Sequence, residues 1–355
     1  MSSSAIDEAR LEELMARAVV DLSAAISAPL MRLGDRLGLY RAMAYAGPVT
    51  SAEVAERAGC DERMVREWLA NQVAGGWVFR YPDTDEYELP DEHALALADE
   101  DSPFFVLGAF DIVAALWADE DRLVEAFRSG RGLALHKHDR RLHRGTERFF
   151  GPGYRAHLVS SWIPSLTGVQ EKLRDGAYVA DVGCRQGAST LMLAEAFPQS
   201  RFVGFDYHEP AIRRARALAT RAEVADRVSF EVASAHEFRG RGFDLVCNFD
   251  CLRDMGDPVG AVRHAAEAID PDGSYMVVEP YAGNALEDNM HPLGRLFYAT
   301  SALISTPAAE AQEGDVVLGA QAGERKLIDV LNAGGFARVR LASESSFNLV
   351  LEARL

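Results

Sequence analysis

The sequence predicts an α/β protein: a Rossmann-like sheet, mostly parallel with an antiparallel last strand, preceded by an N-terminal α-helical and winged-helix domain. Three observations carry this. Two short capped helices and a hairpin follow one another between residues 50 and 89. Five apolar segments between 178 and 279 alternate with helical stretches, as in a parallel sheet covered on both faces. Two extended segments, 337–341 and 347–353, then end the chain with a connection too short for a crossover helix. The length of 355 residues suits about two domains of roughly 100–200 residues each. We expect a helical and winged-helix dimerisation or capping domain over 1–100, a helical linker and lid over 101–172, and the sheet domain over 173–355.

Each element has a local reason. Residues 6–45 place Leu11, Leu14, Met15, Ala18, Val19, Leu22 and Ile26 at three-to-four spacing, a helical stripe that Pro29 and Gly38 are expected to divide. Thr50-Ser-Ala-Glu53 is a capping box opening a helix that stops at Gly59, and Asp61 caps a second helix through Val73. Trp77–Arg80 and Tyr87–Leu89, joined by Pro82–Glu86, form the hairpin. Residues 103–129 read as apolar helix, Gly151-Pro-Gly153 as the end of the helical section, and Tyr154–Lys172 as helix interrupted at Pro164. Strands are expected at Tyr178–Val182, Arg201–Asp206, Val228–Val232, Phe243–Asn248 and Tyr275–Glu279.

Charge narrows the function. The formal net charge is −17, and the first 100 residues carry 9 Arg, no Lys and 19 acidic residues. A winged helix invites a DNA-binding reading, but Arg63 and Arg66 sit among Asp61, Glu62 and Glu67, and such a surface repels phosphate. No nucleic-acid partner is expected. Four scattered cysteines make no disulfide framework or zinc site; no signal peptide is legible, and no uninterrupted apolar run reaches membrane-spanning length. A cytoplasmic protein without a membrane partner is the expectation. His136, Lys137, His138, Arg140, Arg141, His143 and Arg144 form the one basic stretch. Its histidines match no helical or strand pair of metal ligands, so it reads as a loop near the active site and no metal is expected.

Asp181-Val-Gly-Cys-Arg-Gln-Gly187 joins the first strand of the sheet to a helix, a turn that lets a ligand approach the backbone and helix N-terminus. Asp206 ends the second strand 25 residues after Asp181, where a carboxylate can accept both hydroxyls of a ribose. With Gly145-Thr-Glu-Arg-Phe-Phe150, Pro152-Gly-Tyr154, Phe249-Asp-Cys-Leu252, Asp254-Met-Gly-Asp-Pro258, Val278-Glu-Pro280, Leu318–Glu324 and Phe347-Asn-Leu-Val350, the chain resembles class I S-adenosylmethionine-dependent methyltransferases, specifically the bacterial subgroup with an N-terminal winged helix. The resemblance implies S-adenosylmethionine as cofactor and a small, specialised metabolite as acceptor. It places Gly183 and Gly187 under the methionine, Asp206 on the ribose, Ser234 and Ala235 beside the adenine, and Asn248 and Asp250 towards methionine and substrate. A homodimer is expected, with Tyr154, Trp162, Arg295, Phe297 and Tyr298 as candidate substrate wall; the aromatics serve equally well as core.

Two positions depart from the family pattern. Arg185 stands where relatives carry a central glycine, and Arg253 where they commonly carry the histidine that removes the acceptor's proton, which an arginine cannot do. Three readings stay open. Methyl transfer can proceed by proximity, with Asp254 or Glu279 taking the proton or no base needed. Arg185 and Arg253 can instead form an anion site for other chemistry, or the chain can be a silent binding subunit. A ligand-sensing winged-helix regulator is the alternative from a different class.

Overall fold

The structure, a computed structural model, describes residues 6–312, 314 and 316–355. It forms two compact units: Met1–Ala118 with Asp139–Gly153, and Asp119–His138 with Tyr154–Leu355. The segment expected as linker and lid is thus shared between them.

In the first unit, α1 (Glu8–Leu37) is capped by the Asp7 carboxylate, which accepts the Arg10 N–H at 3.2 Å, and stops at Gly38. Pro29 lies inside α1 rather than dividing it. A proline removes one backbone donor, and the rest of a long helix holds the turn together. Many apolar side chains of α1 are exposed, among them Leu11, Met15, Val19, Leu22, Ile26 and Leu33. By length and composition the helix could cross a membrane, and little of it is buried; charged residues punctuate its apolar stripe. After α2 (Leu39–Met43), Thr50 and Glu53 make the capping box of α3 (Ser51–Ala58), and Asp61 caps α4 (Glu62–Ala74). The wing is β2 (Phe79–Tyr81) against β3 (Glu86–Glu88), joined by the two-residue β1 (Val49–Thr50) in the order β1-β3-β2. Met31, Tyr40, Trp68, Leu69 and Tyr87 are buried between helices and wing.

Beyond α5 (Asp91–Leu97), the apolar stretch splits into α6 (Gly108–Ala118) and α7 (Glu120–Ser129), the latter in the second unit. Helix α8 (Arg141–His157) runs straight through Gly151-Pro-Gly153, which ends nothing. Gly151 and Pro152 are buried there, and tertiary packing overrides local propensity. Within the first unit, α8 delivers Arg148 into a nest of carboxylates. Its guanidinium donates to both oxygens of Asp35 (2.7 and 3.0 Å), to Asp111 (3.2 Å) and to Glu100 (2.6 Å), while Arg32 holds the other Asp111 oxygen at 2.7 Å.

The second unit is a seven-stranded sheet in the order β6-β5-β4-β7-β8-β10-β9. The strands are β4 (Tyr178–Val182), β5 (Arg201–Asp206), β6 (Val228–Val232), β7 (Phe243–Phe249), β8 (Ile269–Pro280), β9 (Arg338–Glu344) and β10 (Asn348–Arg354). Neighbours from β6 through β8 pair parallel, and β10 is antiparallel to both β8 and β9, as the chain-end segments foretold. The helices are α9 (Ile163–Ser165), α10 (Val169–Asp175), α11 (Ala188–Ala196), α12 (Glu209–Arg221), α13 (Pro258–Ala268), α14 (Pro292–Thr300), α15 (Thr306–Glu310) and α16 (Gly323–Ala333). Side chains alternate along the strands into two cores. Phe202, Phe230, Leu245 and Met276 fill one face; Phe205, Phe243, Val246, Tyr275 and Phe336 fill the other. Parallel pairing brings the carboxyl ends of β4, β5, β7 and β8 to one edge, and with them the glycine turn, Asp206, Asp250 and Glu279.

Arg148 neutralises Asp35 and Asp111, both buried. Replacing it with alanine strips Asp35 of both its hydrogen bonds to a cation and leaves Asp111 to Arg32, and is expected to lower stability by about 3–5 kcal/mol. A urea unfolding curve for R148A beside the parent protein measures this.

Candidate functional site

The glycine turn between β4 and α11 is fixed by its backbone. Gly183 and Gly187 have φ of +79° and +81°, and a Cβ would lie 2.6 Å from Cys251 Sγ at the first and 2.5 Å from the Phe230 ring at the second. Both positions therefore demand glycine by conformation and by close approach. Arg185 also adopts the left-handed region, with φ +52°, at a residue type that pays about 1–2 kcal/mol for it. The turn keeps a shape that glycine adopts without strain, here with a long side chain on it. Beneath it, Asp181 is buried and accepts the hydroxyls of Ser189 and Thr190, each at 2.6 Å, with its second oxygen unpartnered. Burial raises its carboxyl to about 6.

Asp206 meets the turn from β5. One oxygen accepts the backbone N–H of Arg185 at 3.0 Å and the other that of His208 at 2.8 Å. Both amides orient the carboxylate and leave lone pairs on each oxygen for a ligand's hydroxyls. Burial nonetheless pushes its pKa up, so further donors are favourable there. Ser234 and Ala235, half-buried after β6, lie in the next inter-strand loop.

The loop after β7 carries the densest charge. Arg253 is buried; its Nη1 donates to Asp250 Oδ1 and to Glu279 Oε2, both at 2.8 Å, its Nε to Ser305 Oγ at 3.3 Å, and its backbone N–H to Glu279 Oε1 at 3.3 Å. These carboxylates hold it charged, so it is no base, and its charge is spent inside the protein rather than on an anionic ligand. Burial, and the like charges of Asp250 and Asp254, raise Glu279 to about 7 against the pull of Arg253. Asp254 is buried with Oδ1 lacking a hydrogen bond, and its Oδ2 lies 3.6 Å from Arg185 Nη2. Arg185 Nη2 also donates to the Asp250 carbonyl at 3.3 Å, which ties the turn after β4 to the loop after β7. Asp250 itself sits at φ +50°. Two strained non-glycine residues thus face each other across the edge of the sheet.

The remaining expected residues divide. Tyr154 OH donates to Asp250 Oδ2 at 2.5 Å, with its ring against Trp162 and Phe249, and belongs to the site. Trp162 is buried in the core, as is Phe297, and neither forms an open wall. Asn248 is consumed structurally: its amide donates to the Val182 carbonyl and Cys251 Sγ, and its oxygen accepts from Tyr275. Arg295 is exposed and Tyr298 half-buried on α14. Sequence reasoning overlooked Ser305 and Cys251, and also Asp119, whose carboxylate pairs with His138 at 2.9 Å, both buried. A histidine and an aspartate 19 residues apart leave no pattern to read. No cluster of three or more metal-ligating side chains occurs among the described residues.

These residues suit S-adenosylmethionine. Asp206 offers a held carboxylate for a ribose, Asp181 an unpartnered oxygen, and Asp250, Asp254 and Glu279 outnumber the two arginines around a cationic sulfonium. Comparisons agree on the domains. Residues 24–99 match the Rv2258c-like winged HTH domain and residues 173–323 a methyltransferase domain, so the chain carries both. The 27-O-demethylrifamycin SV methyltransferase of Amycolatopsis mediterranei is 34% identical over 103 residues, which cover 28% of this chain and 38% of that protein. The trans-aconitate 2-methyltransferase of Streptomyces avermitilis is 26% identical over 119 residues, 33% of this chain and 44% of that protein. The matched stretches span less than half the length of these curated relatives. Among solved structures, mitomycin 7-O-methyltransferase aligns with TM-score 0.71 at 19% identity over 98% of this chain and all of its own. Human N-acetylserotonin methyltransferase in complex with SAM aligns with TM-score 0.65 at 16% identity, covering 100% of this chain and 99% of its own. At such identities the likeness is one of fold.

The Arg185 guanidinium already has partners in the Asp250 carbonyl and the Asp254 carboxylate. Arg185→Gly, which also relieves the left-handed strain, is expected to bind S-adenosylhomocysteine at least as tightly as the parent by calorimetry; weaker binding would show the side chain gripping the ligand.

Proposed function

We propose that the chain catalyses S-adenosylmethionine-dependent methyl transfer to a small, specialised metabolite. The observation that carries this is Asp206, whose two oxygens are oriented by amides of the glycine turn and of His208 at the end of β5. When bound, the cofactor supplies a methyl group on a sulfonium, and the protein's work is placement. Asp206 holds the ribose end. The carboxylates of Asp250 and Asp254 favour a positive centre beside them, and Arg253 keeps that acidic loop folded without neutralising it. Tyr154, anchored on Asp250, is the side chain best placed to meet the acceptor. The anion-site alternative loses its support because Arg253 already serves two carboxylates.

The winged helix serves assembly in this reading rather than DNA. Arg63 and Arg66 on α4 are paired along the helix with Glu67 and Glu62, leaving little charge for phosphate. Exposed Met15, Val19, Leu22, Ile26 and Leu33 of α1 follow a coiled-coil-like spacing, which favours a second copy of the same helix and a homodimer. Four free cysteines accord with a reducing, cytoplasmic setting.

Calorimetric titration with S-adenosylhomocysteine is expected to give a micromolar dissociation constant. Asp206→Ala weakens it by about tenfold or more, matching loss of a charge-assisted hydrogen bond of ~1.5–3 kcal/mol. No heat at millimolar ligand overturns the reading. For the assembly, light scattering of the parent is expected to report a dimer, and the double variant V19E/I26E a monomer.

A further inference from the structure

The strip of chain from Asp119 to His138 belongs to the sheet unit, and two contacts near its carboxyl end hold it there. At one side, the Leu133 N–H donates to the Pro307 carbonyl at 2.8 Å, next to the Ser305 hydroxyl that receives Arg253 Nε. At the other, the His136 ring lies 6.1 Å from each of Tyr207 and His208, directly after Asp206. His138 follows His136 by two residues, and the Asp254 carboxylate of the loop after β7 acts on its ring. Its ring is fully buried, Nδ1–H donates to Asp119 Oδ2 at 2.9 Å, and Nε2 is buried with no hydrogen-bond partner. Asp119 is itself fixed by Arg122 at 3.0 Å, and Arg122 closes the strip by donating to the Lys137 carbonyl at 2.6 Å. The carboxylate dictates the tautomer, so the free nitrogen carries the lone pair.

We propose that His138, oriented by Asp119, is the general base of the reaction, taking the proton that Arg253 cannot. This rests on methyl transfer being the activity. The acceptor's lone pair forms the new bond to the methyl carbon, the carbon–sulfur electrons stay on sulfur, and the acceptor's proton passes to Nε2. The positive charge lost from the sulfonium reappears on an imidazolium paired with Asp119, so the site ends with the charge it began with. Burial keeps the imidazole neutral and receptive; Asp119 and Asp254 oppose that effect, and Arg122 adds to it.

A titration of the histidine ring by NMR, assigned with His138→Gln, tests this without knowledge of the acceptor. Two probes are compared: S-adenosylhomocysteine, neutral at sulfur, and sinefungin, which carries an amine in place of the methylsulfonium. A base at the transfer point is expected to titrate lower in the sinefungin complex by about one pH unit, the effect of a cation several ångströms away. H138Q is expected to keep its S-adenosylhomocysteine affinity within about twofold, because the ring does not hold the cofactor. Identical titration in the two complexes, or an Nε2 already protonated at neutral pH, overturns the proposal while leaving cofactor binding intact. Absence of binding by either probe overturns the methyltransferase reading itself, and the base with it.

Discussion

A guanidinium shut inside the protein organises this site. Arg253 comes from the short turn after β7 and reaches Asp250 on its own loop, Glu279 on β8 and Ser305 before α15. A charge of that kind is costly to desolvate, and only several well-placed partners make it tolerable. The partners are fixed in consequence. Tyr154 is held through Asp250, and Asp250 also presents to Arg185 the carbonyl that locks the glycine turn to the same loop. Were a neutral side chain at position 253, the carboxylates would repel one another and the edge of the sheet would have no common centre.

The same arithmetic gives the pocket its character. The arginines that seemed to promise an anion site are absorbed by acids, and the residual balance is negative. A cationic donor is attracted to such a surface, while an acceptor made anionic by losing its proton is not. Chemistry of this sort is helped by a base that stays neutral until the moment of transfer, which a buried imidazole does better than a carboxylate among carboxylates.

Much of the framework was legible beforehand. Strands β4, β5 and β6 lie where the apolar segments placed them, and the capping residues Thr50 and Asp61 start their helices, because both signals are local. Proline was less reliable: Pro29 and Pro152 both lie inside helices held by length or packing that no short window senses. In the candidate site, Asp206 and the glycine turn were visible from spacing, and Arg185 and Arg253 from their departure from a pattern. Where those arginines point was not visible, since it depends on Asp250, Asp254 and Glu279 meeting at one sheet edge. The pairing of Asp119 with His138 lay hidden in a stretch whose basic composition suggested only a loop.

The path of the chain has an implication for how such proteins can be recombined. The backbone passes from one unit to the other after Ala118, returns after His138, and leaves again after Gly153. No single breakpoint separates the two. A crossover placed before the sheet, at the seemingly natural junction near residue 172, would give a hybrid whose sheet came from one parent and whose Asp119–His138 strip came from the other. Exchange of whole modules between such chains is therefore constrained to inherit the strip together with the loops it covers, and chimaeras intended to trade acceptor preference need three junctions rather than one.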